Sequence, residues 1–398
     1  MSDRKEPCPG GAAVAGLDGL RLEAAFSVLE GQVQAGRLAG AAMAVARAGS
    51  VALRRGAGVC RRPGGGASPM PADAVFLVAS VTKPLTALAA MLLVERGLIC
   101  LDDPVESVIP EFRGGGRHEV TLRHLLTHTS GLPDMLPENV DLRRQHAPLS
   151  AFVEGACRCA LLFRPGTRIS YQSMGIAVLG EIVERITAMP LRDFLGREVF
   201  APLGMRSTSL GLAPPLADRV ALVDLPAEQE GTDWHWNTPY WQQLGVPWGG
   251  MYSTVGDLVI LLQAFLDGGC RGGRQVFGRQ TALAMVSDQT SSLPHLEEQS
   301  RRSGAWGFGW RIGWCDLSSA QSFSHGGATG TLVGADRLRP VCRAPSSPRP
   351  RGLGSSRWPT PPTGRSLEAG DGSPLRRAPG NHGRQRLPRP SMLLRPPS

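Results

Sequence analysis

The chain has 398 residues, of which 42% are hydrophobic and 19% are charged, and its formal net charge is +9 at pH 7. This length is sufficient to bury a substantial core. The positive charge is concentrated at one end, because residues 339–398 contain 12 arginines and only two acidic residues. The rest of the chain is close to neutral, so its charge gives no indication of a nucleic-acid partner.

The cysteines and the apolar segments exclude further classes. The eight cysteines form no C-x-x-C pair, so neither a zinc site nor a disulfide framework is indicated. The N-terminus lacks the apolar core of a secretory signal, and no run of 18 apolar residues occurs. We therefore predict a cytoplasmic protein with no membrane partner and no cofactor.

The N-terminal region predicts one helix and then a β-hairpin. The helix spans residues 18–35, and the hairpin pairs residues 41–47 with 51–56 across Ala-Gly-Ser. The predicted apolar side of the helix consists of Leu20, Ala24, Val28 and Val33.

The segment 79–84, Ala-Ser-Val-Thr-Lys-Pro, carries the strongest chemical signal. Lys83 is one of only two lysines in the chain, whereas arginine supplies nearly all other positive charge. Arginine does not lose its proton in proteins, but a partly buried lysine can. Ser80 and Lys83 are three residues apart, so they share one face of a helix and could act as nucleophile and base. The apolar run that follows predicts a buried helix that Gly97 ends.

Helices are expected between the Ser80 segment and about residue 290, and strands return over 308–314, 320–325 and 331–336. Strands at both ends with helices between them predict an α+β fold, in which one antiparallel sheet is built from both chain ends. Beyond residue 338 the sequence becomes rich in arginine and proline. We therefore predict a flexible N-terminus over 1–17, a single domain over 18–338 and a disordered tail over 339–398.

Several segments resemble, in order, the motifs of one family. Besides Ser80–Lys83 they are Thr121–Pro133 (TLRHLLTHTSGLP), Pro165–Gly175 (PGTRISYQSMG), Gly249–Asp257 (GGMYSTVGD) and Ser324–Gly327 (SHGG). The set resembles the serine beta-lactamase-related hydrolases, which include class C beta-lactamases, D-Ala-D-Ala peptidases and esterases. The resemblance covers roughly residues 20–336 and implies the beta-lactamase/transpeptidase-like fold.

The resemblance also implies roles for individual residues. Ser80 would be the nucleophile, and Lys83 would help to remove its proton. Tyr171 would be a base or proton shuttle, with its pKa lowered by the nearby ammonium. The N–H groups of Ser80 and Ala328 would form the oxyanion hole. Gly327 would belong to the same substrate-binding strand.

Two positions depart from the beta-lactamase pattern. Ser173 stands where an asparagine is usual, and a hydroxyl holds a substrate amide less well than a carboxamide does. His325 stands where beta-lactamases have lysine, and histidine is largely neutral at pH 7. Both changes weaken the grip on an amide and on a carboxylate, so the predicted substrate is a small ester rather than an amide. A beta-lactamase or D-amino peptidase is the alternative within this family.

Two other patterns have competing interpretations. His124 and His128 have the i, i+4 spacing of metal ligands, but the resemblance makes this segment structural, so no metal site is predicted. The tryptophans of 234–241 either line an acyl pocket or pack within a surface loop.

The C-terminal end departs from the family pattern. The strand expected after residues 331–336 would have to come from Arg-Leu-Arg-Pro-Val-Cys-Arg-Ala-Pro-Ser, whose prolines argue against a place in mid-sheet. We therefore predict a sheet that is incomplete at the C-terminus, with a gap and reduced stability. The remaining hypotheses are an active serine hydrolase, an inactive relative that serves as a binding or scaffold protein, and a truncated product without function.

Overall fold

A computed structural model of the chain describes residues 16–313 and 319–347. Its main sheet has eight strands in the order β3-β2-β1-β13-β12-β11-β10-β9, and neighbouring strands are antiparallel. These strands are β1 (Gly40–Arg47), β2 (Ser50–Arg61), β3 (Ala67–Pro69), β9 (Ala305–Trp306), β10 (Arg311–Ile312), β11 (Ser322–Gly326), β12 (Leu332–Asp336) and β13 (Val341–Ser346). The predicted sheet from both chain ends is therefore confirmed.

The middle of the described chain is mostly helical, as predicted, with two small sheets. Strands β4 (Phe76–Leu77), β5 (Ser209–Leu210) and β6 (Met251–Ser253) form one small sheet, and β7 (Cys270–Arg271) and β8 (Arg274–Gln275) form the other. The α-helices are α1 (Gly19–Gln34), α2 (Lys83–Glu95), α3 (Leu122–Leu126), α4 (Asn139–Arg144), α5 (Leu149–Arg158), α6 (Met174–Thr187), α7 (Leu191–Leu195), α8 (Ala201–Leu203), α9 (Pro239–Leu244), α10 (Val255–Leu266), α11 (Arg279–Met285) and α12 (Glu298–Arg302).

Helices cover both faces of the main sheet. Helix α10 packs against β1, β12 and β13, where Cys342 approaches the side chain of Gln263. Helix α1 packs against β1 and β2 on the other face, where Phe26 lies against the guanidinium of Arg55. Helix α2 lies inside the helical layer against α6 and is buried from Lys83 to Leu93.

Helix α1 confirms the predicted element but not the predicted face. Asp18 caps its first turn, because the carboxylate accepts hydrogen bonds from two backbone N–H groups. Phe26 and Leu29 are the buried residues, whereas Leu20, predicted to lie on the apolar side, is 82% exposed. Phe26 is the largest apolar side chain of the helix, and its burial sets which face turns inward.

Strand β13 overturns the predicted gap in the sheet. Val341–Ser346 lies between β1 and β12, pairing with β1 from Ala42↔Ser346 to Arg47↔Val341. The strand that the sequence analysis expected to be absent is therefore formed by β13. The prediction of reduced stability, which depended on that absence, is wrong.

The positions of the two prolines explain why they are tolerated. Pro340 precedes the strand, and its carbonyl accepts a hydrogen bond from Ala48 N–H. Pro345 lies beyond Arg343, the last β13 residue that pairs with β12, so its missing N–H interrupts no ladder on that side. Between them, Cys342 and Ala344 alternate with exposed Arg343 and are fully buried.

The domain boundary moves accordingly. The predicted limit at residue 338 is too early, because the sheet continues to Ser346. The remainder of the predicted tail, from residue 348 onward, lies outside the described residues, as do residues 1–15 of the predicted flexible N-terminus. Among the helices that are described, none has the length and apolar character needed to cross a membrane.

Candidate active site

Ser80 lies in a single 3₁₀ turn, Ala79–Thr82, that leads directly into α2. The serine therefore lies just before the α-helix, whereas the sequence analysis placed Ser80 and Lys83 on one helix. The Thr82 hydroxyl holds this turn, because it donates to the Ala79 carbonyl at 2.6 Å and accepts from Met251 N–H at 3.0 Å. Ala79 has a φ of 46°, a left-handed conformation that is strained for a residue with a Cβ. The half-buried Ser80 side chain is thus presented by a tightly fixed backbone.

Lys83 is fully buried beside the serine. Its Nζ donates hydrogen bonds to Ser80 Oγ at 3.0 Å and to the Trp248 carbonyl at 2.9 Å. Burial lowers the pKa of Lys83 from 10.5 to about 7, and the carboxylate of Asp134 opposes this effect. A substantial fraction of Lys83 is therefore the neutral amine near pH 7, and this form can accept the Ser80 proton.

Tyr171 lies beside both Ser80 and Lys83, with its ring centre 4.7 Å from Lys83 Nζ. Burial raises the pKa of Tyr171 well above 10, only partly opposed by a hydrogen bond with Ser80. The expectation that the ammonium lowers the pKa of Tyr171 is therefore wrong. Lys83 loses its proton near pH 7, so no ammonium remains at the pH where the phenol would ionise. Tyr171 is a neutral hydroxyl that can donate or relay a proton.

His128 holds the Tyr171 segment in place. Its carbonyl accepts from Ser170 N–H at 2.9 Å, and its Nδ1 accepts from Gln172 N–H at 3.3 Å. The His128 and Tyr171 rings are 4.9 Å apart. His124, four residues earlier, instead accepts a hydrogen bond from Thr121 N–H in the cap of α3. The two histidines predicted to be structural thus make separate local contacts.

The end of β11 brings Ala328 next to the Ser80 turn. A Cβ on Gly327 would lie 2.3 Å from the Val78 carbonyl oxygen, so only glycine allows this approach. On the other side of Ala328, Thr329 Oγ1 donates to the Leu77 carbonyl at 2.5 Å. Ala328 itself is exposed. Within the described residues, neither Ser80 N–H nor Ala328 N–H donates a backbone hydrogen bond, so both are available to an oxyanion.

Ser173 donates a hydrogen bond to Asp134, a residue that the sequence motifs did not predict for the site. Its Oγ donates to Asp134 Oδ1 at 2.6 Å, and its N–H donates to the Asp134 carbonyl at 3.2 Å. Ser173 is buried, whereas Asp134 is exposed. The position expected to hold a substrate amide therefore presents a carboxylate. Asp134 directly follows the motif segment Thr121–Pro133, and this position next to a motif could have identified Asp134 as a site residue.

His325 is 5% exposed and faces the same group of rings, 6.0 Å from Tyr171 and 6.1 Å from Trp306. Burial and the charge of Lys83 lower the pKa of His325 to about 3, so it is neutral at pH 7. Its Nδ1 lies 2.9 Å from the Gly326 carbonyl, which fixes the proton on Nδ1. The site therefore has no cation where beta-lactamases have lysine.

Trp306 forms one wall of the site, 5.9 Å from Tyr171 and edge-on to His128 at 4.4 Å. No sequence motif predicted this residue. The other tryptophan cluster serves packing, since Trp234 and Trp241 enclose the guanidinium of Arg143 at 4.7 and 4.6 Å. Of the two interpretations of this segment, the contacts favour loop packing.

Comparison with known proteins identifies the family of this chain. The family model described as Beta-lactamase matches residues 26–347. Esterase EstB of Burkholderia gladioli is 39% identical over 212 residues, which cover 49% of this chain and 52% of EstB. The chain thus matches about half the length of that relative. Penicillin-binding protein 4 of Amycolatopsis lactamdurans is 33% identical over 285 residues, covering 70% of each chain.

Solved structures show the same fold. EstCE1, a hydrolase with promiscuous acyltransferase activity, matches with a TM-score of 0.68 and 22% identity, covering 83% of this chain and 93% of EstCE1. A penicillin-binding protein homologue from Caulobacter crescentus matches with a TM-score of 0.69 and 24% identity, covering 83% and 92%. With a family match over most of its length and the site motifs in order, this chain belongs to the beta-lactamase family.

Proposed function

We propose that the protein is a serine hydrolase that cleaves small esters through a covalent acyl-enzyme. The observation that carries the proposal is the 3.0 Å contact between Lys83 Nζ and Ser80 Oγ, at a position where burial lowers the pKa of Lys83 to about 7. A base whose pKa is near the working pH is present in substantial amount in its unprotonated form and is still basic enough to accept a proton.

In the first half of the reaction, the neutral amine of Lys83 accepts the proton of Ser80 as Oγ attacks the ester carbonyl carbon. The N–H groups of Ser80 and Ala328 stabilise the oxyanion that forms. When the intermediate collapses, the bond to the alcohol breaks. The Tyr171 hydroxyl gives its proton to the leaving oxygen and regains one from the Lys83 ammonium.

In the second half, a water molecule attacks the acyl carbon. Its proton passes to Lys83, and Ser80 Oγ leaves with a proton as the carboxylic acid is released. Each residue thus returns to its starting state, and no cofactor takes part in these steps.

The preference for esters over beta-lactams rests on Ser173 and His325. The Ser173 hydroxyl already donates to Asp134, so it is occupied rather than free to hold an amide carbonyl. His325 is neutral and carries no charge to pair with a carboxylate. A beta-lactam needs both interactions more than a simple ester does.

The test compares wild-type protein with Ser80→Ala on p-nitrophenyl butyrate and on nitrocefin. We expect ester hydrolysis, a higher kcat/KM for the ester than for nitrocefin, and loss of the enzymatic rate in the variant by at least about 10³-fold. The control is Ser27→Ala, which removes an exposed hydroxyl on α1 that bonds only within its own helix.

Labelling with a fluorophosphonate separates the alternatives. Covalent labelling of wild-type protein but not of Ser80→Ala supports the hydrolase. A folded protein that shows neither labelling nor turnover would be an inactive relative, and a clear preference for nitrocefin would make it a beta-lactamase.

A further inference from the structure

The rim of the site, which we define as Asp134, Ser173, Trp306 and His325, contains one exposed carboxylate, that of Asp134. Asp134 is exposed, and its carboxylate forms no salt bridge with any residue of the described ranges. Its one side-chain partner there is the neutral hydroxyl of Ser173. The rim therefore carries a negative charge that the surrounding protein does not neutralise.

That charge acts on the reacting groups. The carboxylate of Asp134 favours the charged form of Lys83 and disfavours ionisation of Tyr171. The hydrogen bond from Ser173, two residues after Tyr171, places Asp134 at this side of the site. A substrate bound at Ser80 therefore meets the field of this carboxylate.

Among the described residues, the positively charged or titratable groups around Ser80 are not placed to hold a negative substrate. Lys83 is buried and bonded to Ser80 and Trp248, and His325 is neutral. Arg311 is near His325, but it pairs with Ser324 in the sheet and therefore projects from the opposite face to His325. A carboxylate on the substrate would be repelled by Asp134 with nothing to offset the repulsion.

Aromatic rings of the same site can also attract a positive charge. Tyr171 and Trp306 are each partly exposed, and their rings are 5.9 Å apart at an angle of 39°. Lys83 Nζ already lies over the Tyr171 ring, 4.7 Å from its centre, so Trp306 is the ring that remains for a cation of the substrate. The face of a tryptophan ring is the aromatic surface that attracts cations most strongly.

We propose that the preferred ester carries an ammonium group, held by the carboxylate of Asp134 and the ring of Trp306. The proposal deepens, and rests on, the proposed esterase function. It assigns Asp134 as a residue that determines specificity for the charge of the substrate.

The test measures a charge preference, defined as kcat/KM for a cationic ester divided by kcat/KM for its uncharged isostere. One pair places the charge on the alcohol, with acetylthiocholine and 3,3-dimethylbutyl thioacetate. The other places it on the acyl group, with the p-nitrophenyl esters of trimethylglycine and of 3,3-dimethylbutyric acid. Each preference is compared between wild-type protein and variants, so that differences in intrinsic reactivity cancel.

We expect Asp134→Asn to lower the charge preference about fivefold in at least one pair, which corresponds to about 1 kcal/mol. The pair that responds identifies which side of the ester carries the cation. Asp141→Asn, which removes an exposed charge on α4, is the matched control and should leave the preference unchanged. High salt should lower the preference of the wild type and not that of Asp134→Asn.

Equal preferences in the wild type and in a folded Asp134→Asn variant, checked by its thermal unfolding, would overturn the proposal. If the wild type hydrolyses none of the four esters, the esterase function fails instead. Calorimetric titration of Ser80→Ala with choline then tests the cation site separately. Binding that Asp134→Asn weakens in this background supports the site, and no binding overturns it.

Discussion

The two sides of the site differ in how their polar groups are satisfied. On the nucleophile side, defined as Ser80, Lys83 and Tyr171, the ammonium of Lys83 is enclosed and bonded to Ser80 and to the Trp248 carbonyl. On the rim, Asp134 is exposed and His325 has a buried Nε2 without a partner among the described residues. Contacts with Trp248 and Met251 and the close approach of Gly327 fix the nucleophile side, whereas single side chains determine the charge of the rim.

This difference teaches where substitution changes chemistry and where it changes selectivity. A change at Lys83 alters a group that donates hydrogen bonds to Ser80 and to the Trp248 carbonyl and lies against Tyr171. A change at Asp134 alters only charge and one hydrogen bond. We therefore expect substitutions on the nucleophile side to cause large losses of kcat/KM. Substitutions at the rim should cause smaller shifts in substrate preference and pH dependence.

The largest expected effect is on turnover when Lys83 is replaced. Lys83→Arg keeps the charge but cannot supply a neutral base, and Lys83→Met fills the same space without a nitrogen. We expect both to lower kcat/KM for an uncharged ester by about 10²-fold or more. Arg302→Lys, an exchange at an exposed position of α12, is the control. Activity within about threefold of wild type in Lys83→Met would show that Lys83 is structural.

The second prediction concerns stability on the same side. The pKa of Lys83 is about 7 in the folded state, below its unfolded value of 10.5. The unfolded state therefore binds more protons between these values, and wild-type stability should rise as the pH increases from about 7 to 10.5. Below about pH 7 the full penalty of burying the charge is present.

Lys83→Met should remove this dependence. We compare the free energy of unfolding of Lys83→Met with that of the wild type at each pH. This difference should be a few kcal/mol more favourable to the variant at pH 6 than at pH 10, because each pKa unit corresponds to about 1.4 kcal/mol. Hydrogen bonds lost by the variant are common to both pH values and do not affect the comparison. Denaturant unfolding of both proteins at the two pH values measures it, and an identical difference at both would contradict the lowered pKa.

The third prediction moves to the rim. Asp134 favours the charged form of Lys83, so Asp134→Asn should lower the pKa of Lys83 further. If the neutral amine is the active form, the acid limb of kcat/KM for an uncharged ester should move to lower pH. We expect a shift of less than about one unit, because Asp134 is exposed and solvent screens its charge. Profiles from pH 5 to 8 test this, and a shift to higher pH would contradict the assignment of Lys83 as the base.

The smallest expected effect is at Ala79, where the backbone before the nucleophile has a φ of 46°. Ala79→Gly removes strain of about 1–2 kcal/mol but adds about 0.5–1 kcal/mol of freedom to the unfolded chain. We expect a net stabilisation of about 1 kcal/mol or less. Ala90→Gly, inside α2, should instead destabilise the fold by about 1 kcal/mol or more. Equal losses from both variants would mean that Ala79 is not strained.

The sequence predicted the Ser80–Lys83 contact because three residues of helical backbone fix that distance locally. It also predicted that one antiparallel sheet combines early and late strands, because strand patterns and ordered motifs can be read without knowledge of packing. It failed for β13, where prolines weigh against a strand by local criteria. Pairing with β1 decided that element, and pairing depends on residues almost 300 positions away.

The residue types that the chemistry needs are thus determined by the sequence alone: one buried-helix lysine three positions after a serine, one tyrosine in a recognisable segment, and a histidine in place of lysine. Their protonation states were decided only by the tertiary structure, because pKa values follow burial and neighbouring charge. The same enclosure lowers the pKa of Lys83 and raises that of Tyr171, which is opposite to the lowered pKa of Tyr171 expected from the sequence. The Ser173–Asp134 contact likewise joins positions 39 residues apart, so it depends on the tertiary structure and could not be predicted from local sequence.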